Sequence, residues 1–212
     1  MADERDCQDP LVNRRALAGL ILGGGAALAS PSIARASSIN AGHVNDLLGD
    51  ARAELLAARR QLAQGEIVFI GDTIFTGLAS RIGLKIGEAT QIRLGPEARL
   101  KIDKFIANAG GTLTLQSGPM TFERPQGAAP QPMQIRGAFG MIAVRGTHFF
   151  AGPSRGKTGV LVVHGSVSVR SGGETVILNA GEGTDILQFG GKPTQPSRWS
   201  SERASEALNS VR

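Results

Sequence analysis

The chain of 212 residues is long enough for one medium-sized domain with short appendages. It contains 29 glycines and no tyrosine, and only 4% of its residues are aromatic, which favours short strands and turns over a helical bundle. The formal net charge is +5, but basic residues alternate with apolar ones, as in 99–102, and aromatic side chains for base stacking are scarce. This composition argues against a nucleic-acid-binding protein.

An export signal is predicted at the N-terminus. The adjacent Arg14 and Arg15 precede a modestly apolar, glycine-rich segment at 17–28, and Ala34 and Ala36 form a small-x-small cleavage site. Paired arginines before a weakly apolar segment are typical of the twin-arginine class of signal peptides. We therefore expect export by the twin-arginine route.

Cleavage after Ala36 would remove residues 1–36 as the signal peptide and leave a periplasmic protein. The apolar segment is shorter than the roughly 20 residues that a membrane span needs, and Pro31 closes it, so no stable membrane anchor is expected after cleavage. Cys7, the one cysteine, lies in the part that is removed. The mature chain is therefore expected to form no disulfide and no thiolate metal site.

The segment 37–64 is predicted to contain an amphipathic helix. Between Val44 and Ala63, leucine, valine and alanine recur at spacings of three, four and seven residues, and Gly65 follows as a helix terminator. Such a helix would either cover one end of the following domain or dock a partner. The first interpretation is favoured because an open end of a strand stack needs a cover.

From 65 to 190 the chain is predicted to be all-β. Apolar residues two apart recur along it, and the pairs that begin at Leu84, Ile92 and Leu100 follow one another at equal intervals with glycine-containing turns between strands. Even spacing of this kind is typical of a sandwich, a barrel or a β-solenoid. Because the strands are short and long connections are rare, we expect a solenoid-like stack, with a β-sandwich as the alternative.

The C-terminal segment, 191–212, is predicted to be a proline-rich linker followed by a short helix. Ser197 or Ser200 would cap this helix, whose apolar side chains include Leu208. Trp199, the one tryptophan, is expected either to pack against the β-domain or to serve as a docking anchor for a partner.

The stretch 140–149 is the central motif of the predicted β-domain. Apolar residues alternate with Ala143 and Arg145, which is typical of a half-buried strand. Gly146 then permits a bend, and the hydroxyl of Thr147 is expected to bond a nearby backbone group and fix it. Arg145 falls on the face opposite the apolar residues, so it is a candidate interaction residue, whereas Gly146 and Thr147 are expected to be structural.

Several short motifs together resemble the core signature of the FecR domain, a family named for a periplasmic sensor of ferric citrate uptake. In order, they are Val144-Arg145-Gly146-Thr147-x-Phe149, Val162-x-x-Gly165-x-Val167-x-Val169 and Ala180-Gly181-Glu182, with Gly71-Asp72-Thr73 and Thr76 resembling the opening of the domain. The resemblance covers about 65–186. It identifies Gly71, Asp72, Thr73, Phe149, Gly165 and Gly181 as family turn and core positions.

The resemblance implies a non-enzymatic sensing or protein-interaction module in envelope signalling. Familiar members follow a cytoplasmic anti-sigma segment and one membrane span and contact an outer-membrane receptor. This chain shows neither feature, so we expect a stand-alone exported member whose partner is an envelope protein or a transporter. The alternative is a cell-wall or glycan ligand, although glycan platforms usually need more exposed aromatic side chains than this chain offers.

Residues for catalysis or cofactor binding are not recognisable. His43, His148 and His164 have no metal-ligand spacing, and no nucleophile has the neighbours of a catalytic triad. The loop 152–158 carries glycines, a lysine and a threonine, but it lacks the spacing and following helix of a phosphate-binding loop. Asp72 is expected to bond backbone amides in its own turn. The sequence therefore predicts no enzyme, no metal and no cofactor.

Overall fold

The computed structural model describes residues 39–106, 110–125, 127, 132–144 and 146–212. The predicted signal peptide, 1–36, with Arg14, Arg15, Ala34 and Ala36, lies outside the described residues. Arg145 lies outside them as well.

The described chain consists mainly of short strands, followed by one helix. In chain order the elements are β1 (Asn40–Leu48), β2 (Ala51–Leu55), β3 (Ala58–Gln61), β4 (Ile67–Phe69), β5 (Thr73–Thr76), β6 (Arg81–Ile86), β7 (Thr90–Leu94), β8 (Arg99–Ile106), β9 (Gly110–Ser117), β10 (Met120–Glu123), β11 (Met133–Gly137), β12 (Gly140–Val144), β13 (His148–Ser154), β14 (Lys157–His164), β15 (Ser166–Ser171), β16 (Glu174–Asn179), β17 (Glu182–Ile186), β18 (Ser197–Arg198) and α1 (Ser201–Asn209).

The strands form two sheets that enclose one core. Sheet A has the order β4-β1-β6-β7-β10-β13-β14-β17-β18, and sheet B has the order β3-β2-β5-β8-β9-β11-β12-β15-β16. The chain passes repeatedly from one sheet to the other, so both sheets grow in the same direction from the N-terminal to the C-terminal end. Strands near in sequence are therefore near in space.

The core lies between the two sheets. Alternate side chains of each strand point inward, as the two-residue period of a strand requires. Fully buried examples are Ile82, Leu84, Ile92 and Leu94 from sheet A and Ile74, Leu100, Ile102 and Leu113 from sheet B. Burial of one such side chain stabilises the fold by about 1.5–3 kcal/mol, so the alternating pattern fixes which face of each strand turns inward.

The all-β prediction is confirmed, but the solenoid-like stack is not the observed architecture. Among the described strands, paired neighbours run antiparallel except β9 and β11, which are parallel. Two facing sheets of this kind are those of a β-sandwich, the alternative drawn from the sequence. Apolar pairs separated by regular turns are common to both architectures, because hairpins and coils each return the chain after a short strand.

The predicted helix in 37–64 is wrong, because its residues form β1, β2 and β3. Bulges explain the misleading period. β1 shifts register between Val44 and Asp46 against β6, and between Asn40 and Gly42 against β4. Each bulge adds one unpaired residue, which lengthens the spacing of inward side chains from two residues to three and imitates a helical face.

The turn between β2 and β3 also lacked its usual sequence signal. Leu55 pairs with Ala58, so Leu56 and Ala57 form a two-residue hairpin loop, and their φ angles are 48° and 71°. Such loops favour asparagine and glycine because both positions require positive φ. Leucine and alanine are good helix formers, so the local sequence predicts a helix where the structure has a turn.

The short C-terminal helix is confirmed. Ser200 is its N-cap and its side chain accepts a hydrogen bond from the amide of Arg203 at 3.3 Å, as expected for a serine at this position. α1 packs on the outer face of sheet A. No helix among the described residues is both long enough and apolar enough to span a bilayer.

Candidate functional site

The opening motif Gly71-Asp72-Thr73 forms the turn from β4 to β5. Asp72 is completely buried, and its carboxylate accepts two hydrogen bonds from the guanidinium of Arg60 and one from the amide of Phe69 at 2.7 Å. The amide of Gly71 donates to the carbonyl of Ile102 on β8 at 2.7 Å. The expected bond to a backbone amide is present, and the turn is joined to β3 and β8.

The central motif brings Gly146, Thr147 and Gly165 together. Gly146 has φ 63°, and a Cβ built there would meet nothing within 4 Å, so its conformation and not its surroundings favours glycine. A Cβ on Gly165 would lie 2.7 Å from Cγ2 of Thr147. Gly165 is thus required by close packing against Thr147.

The predicted hydrogen bond of the Thr147 hydroxyl is not made to any described residue. Thr147 is fully buried, and its Oγ1 has no hydrogen-bond partner among the described residues. Its carbonyl instead accepts from the amide of Arg124 at 3.0 Å. The bend is therefore fixed by backbone bonding and methyl packing, which the sequence alone could not distinguish from hydroxyl bonding.

The remaining motif positions lie in the core and at a turn. Phe149 is fully buried, and its ring stacks on Phe122 at 5.4 Å between centroids. The amide of Gly181 donates to the carbonyl of Val162 at 2.8 Å. These residues hold strands of sheet A together; Phe149 is closed to a ligand, whereas Gly181 is half-buried.

Trp199 lies on the outer face of sheet A. Its ring contacts Phe150 at 6.5 Å between centroids, and the guanidinium of Arg203 lies 3.5 Å from its ring centroid. The ring occupies a slot above Gly159 and Gly183, where a Cβ would collide with it. Trp199 is half-buried, so part of the ring remains accessible.

Ion pairs attach α1 to sheet A. Arg203 donates to both carboxylate oxygens of Asp185 on β17, at 3.2 and 2.5 Å. Arg155, beside β14, donates to Glu206 at 2.8 and 2.9 Å. The hydrogen bond from Arg155 lowers the pKa of Glu206 below its usual value. α1 thereby covers the outer face of sheet A around Phe150.

A polar groove of about 300 Å³ lies beside the end of α1 on sheet A. It is lined by Gln91, Arg93, Thr121, Glu123, His148, Leu208, Val211 and Arg212. Glu123 is the cross-strand neighbour of both Gln91 and His148. Burial lowers the pKa of His148; the Glu123 carboxylate opposes this shift, and the charges of Arg212 and His164 add to it.

His148 is consequently neutral near pH 7, where it can donate one hydrogen bond and accept another. Sequence reasoning missed this groove because its residues come from three strands and the helix. No group of three or more His, Cys, Asp and Glu residues is placed to hold a metal in the part of the chain that the structure describes.

The outer face of sheet B carries the clearest concentration of charge. Outward side chains of successive strands lie in rows, since paired residues share a face. We define the basic face as Arg52, Phe75, Arg99, Lys101, Thr114, Arg136 and Arg170, which are connected through the pairing of β2, β5, β8, β9, β11, β12 and β15. The sequence suggested that positive charge is spread out, whereas the fold gathers it.

Three kinds of cation lie on the basic face. Lys101 is paired with Asp103 at 3.2 Å. Arg136 and Arg170 are exposed and have no ion-pair partner among the described residues. Arg52 and Arg99 lie over the ring of Phe75, at 4.8 and 4.7 Å from its centroid. This face can therefore bind carboxylates or other anions through guanidinium groups.

Residues 72–168 match the family described as FecR protein. This region of the chain is a FecR domain. The match confirms the resemblance drawn from the sequence motifs, and it begins at the buried Asp72. No curated protein matches the chain.

The FecR domain is also similar in fold to solved structures. Two crystal structures of a candidate anti-sigma factor from Parabacteroides distasonis ATCC 8503, at 1.65 and 2.50 Å resolution, each align with a TM-score of 0.54 and 14% identity. The alignments cover 64% of this chain and 64% and 63% of the other chain. They therefore span less than two thirds of that protein, and at this identity they establish a shared fold.

The two outer faces of the FecR domain differ. The face of sheet A is partly covered by α1, whereas that of sheet B has no described element packed over it. Arg99, Lys101 and Arg136 of the basic face fall within 72–168. Each could be recognised in the sequence as an outward residue of a strand. The strand order that brings them onto one face could not be predicted from the sequence.

Proposed function

We propose that this protein is an exported, periplasmic FecR-domain protein that acts as a non-catalytic sensing or protein-interaction module in envelope signalling. The observation that carries the proposal is the FecR match over 72–168. The proposed partner is an envelope protein or a transporter. The likeness to a candidate anti-sigma factor is consistent with a regulatory role, although it extends only to the fold.

The geometry of the domain supports binding at a surface. The motif residues Asp72, Thr147 and Phe149 are completely buried, so they stabilise the domain and leave recognition to exposed side chains. Arg145 remains a proposed interaction residue because the alternating sequence pattern in 140–145 predicts an outward side chain at this position. Trp199, with part of its ring accessible, is a second proposed contact.

Export is proposed from the paired Arg14 and Arg15 and from the cleavage site at Ala34 and Ala36. Fractionation followed by N-terminal sequencing tests it, and the expected mature N-terminus is Ser37. Efficient export of a variant with both arginines replaced by lysine would contradict the twin-arginine route, while a full-length protein in the cytoplasm would contradict export altogether.

The binding function is tested by two assays on the same tagged mature protein. In the first, the protein is used to capture partners from a solubilised envelope extract; in the second, it is sedimented with purified peptidoglycan. We expect an envelope protein to be captured in a saturable amount and no enrichment with peptidoglycan. Sedimentation without any protein capture would instead favour a cell-wall ligand.

A further inference from the structure

The basic face is rich in guanidinium groups, and no described element packs over it. Lys101, Arg136 and Arg170 lie on β8, β11 and β15, so two strand spacings separate each from the next. With neighbouring strands about 4.8 Å apart, the line of cations repeats at about 10 Å. Because Arg136 and Arg170 have no acidic partner among the described residues, their charge is available to an incoming molecule.

On the basis of the proposed interaction function, we propose that the basic face of sheet B is the docking surface. Its occupant is the acidic surface of a partner protein. Charge complementarity is the first argument, since guanidinium groups bind carboxylates with two parallel hydrogen bonds. Arginine is also enriched over lysine at protein interfaces, and the exposed cations of the basic face are all arginines, namely Arg52, Arg99, Arg136 and Arg170.

The size of the face agrees with a protein partner. From β2 to β16 there are seven strand steps. At about 4.8 Å per step and about 3.3 Å per residue along strands of about five residues, the face measures about 35 by 15 Å. A planar area of about 500 Å² corresponds to the lower size range of specific interfaces, in which transient signalling contacts fall.

Other occupants fit less well. A second copy of this chain would place one basic face against another, and like charges would oppose the symmetric contact. A glycan or a nucleic-acid strand would need an open aromatic ring, but Phe75 carries Arg52 and Arg99 over its ring, from the two strands that flank β5.

Site-directed photo-cross-linking in the cell that exports the protein tests this assignment. A photoreactive phenylalanine replaces Gln134, an exposed residue on β11 two positions before Arg136, or Gln91, an exposed residue on sheet A. We expect a protein adduct from position 134 and none from position 91. The adduct protein, identified by mass spectrometry, is expected to have an acidic surface.

Matched charge reversals show whether the basic face causes the adduct. The test variant carries Arg136→Glu and Arg170→Glu; the control carries Lys157→Glu and Arg198→Glu, which are exposed on sheet A and change the net charge equally. We expect the position-134 adduct to fall at least about tenfold in the test variant and to persist in the control. A variant with Arg136→Lys and Arg170→Lys should retain it.

The outcomes separate this inference from the proposed function. A protein adduct from position 91 alone, or one that survives the reversal at Arg136 and Arg170, overturns the docking surface and leaves the interaction function standing. Adducts from position 134 only to lipid, to peptidoglycan or to a second copy of the chain overturn the acidic protein partner. If neither position yields any protein adduct, both the inference and the proposed function fail.

Discussion

Arg60 on β3 donates hydrogen bonds to both carboxylate oxygens of Asp72, at 2.8 and 2.5 Å. The side chain of Asp72 is completely buried, whereas that of Arg60 is 26% exposed. The buried charge of Asp72 is therefore balanced by an arginine at the protein surface. The bond to Asp72 raises the pKa of Arg60, whose charge is therefore permanent. This pair joins the edge of sheet B to the first turn of the FecR domain.

We predict that Arg60→Ala lowers the free energy of unfolding by about 2–4 kcal/mol, because it leaves a buried carboxylate with the Phe69 amide as its one remaining partner among the described residues. Arg59→Ala is the control. Arg59 is adjacent on β3 and is paired with Glu54 at 73% exposure, so its loss should change stability by less than about 0.5 kcal/mol. Equal urea midpoints for the two variants would contradict the buried pair.

We predict that Thr147→Val leaves stability unchanged or raises it by up to about 1 kcal/mol, because the buried hydroxyl has no partner among the described residues. Thr76→Val is the matched comparison. The Thr76 hydroxyl donates to the Gly95 carbonyl at 2.7 Å and accepts from the Ala98 amide at 2.8 Å. Its loss should cost about 1–3 kcal/mol in thermal or urea unfolding.

A marked loss of stability in Thr147→Val, similar to that in Thr76→Val, would show that the Thr147 hydroxyl is bonded after all. Gly146→Ala tests the same bend independently. Only its positive φ opposes a side chain, so we expect a cost of about 1–2 kcal/mol, which is smaller than that of Gly165→Ala with its added collision.

We predict that replacing Leu56 by asparagine and Ala57 by glycine stabilises the protein by about 0.5–1.5 kcal/mol. Both residues have positive φ in a two-residue hairpin loop, which asparagine and glycine adopt more easily. Leu56 is 84% exposed, so replacing its side chain removes few packing contacts. An unchanged or lower melting temperature would contradict the hairpin and would favour the helix suggested by the local sequence.

That hairpin shows why part of the fold could be predicted and part could not. The alternating strands after residue 65 and the Ser200 cap of α1 follow from local patterns, and both are present. The N-terminal strands break local rules, because their bulges and their Leu56-Ala57 turn are stable only when paired with β6 and β5. Tertiary pairing overrode helix propensity there.

The candidate site was predictable to a similar extent. Motif spacing located the FecR region and the buried Asp72, whose amide bond was expected. The sequence could not show which outward cations share a face, since Arg136 and Arg170 meet only through the intervening β12. Nor could it show that α1 partly covers sheet A while no described element covers sheet B, because packing of distant elements has no local signal.

We predict that α1 loosens from sheet A in acid before the sandwich unfolds. The bond from Arg155 lowers the pKa of Glu206 in the folded state. The stability that this ion pair contributes is therefore present above the unfolded pKa of about 4.3 and is lost as the pH falls through the lower folded value. Trp199, the one tryptophan, adjoins α1 and reports the change by fluorescence.

Glu206→Gln should remove this acid step from the Trp199 signal, because the glutamine does not titrate, while the far-ultraviolet signal of the sheets stays the same. Glu174→Gln, which breaks an exposed pair with Lys192 away from α1, is the control and should keep the step. An acid step that is identical in both variants would mean that another carboxylate holds the helix.

The most direct measurement of the central claim is isothermal titration of the purified mature protein with the envelope protein that it captures. The account predicts saturable, equimolar binding that weakens at least about tenfold between about 50 and about 300 mM salt, because the contact is electrostatic. It also predicts that Arg136→Glu with Arg170→Glu weakens binding at low salt. Absence of saturable binding to any envelope protein would contradict the claim that this FecR domain is a protein-interaction module.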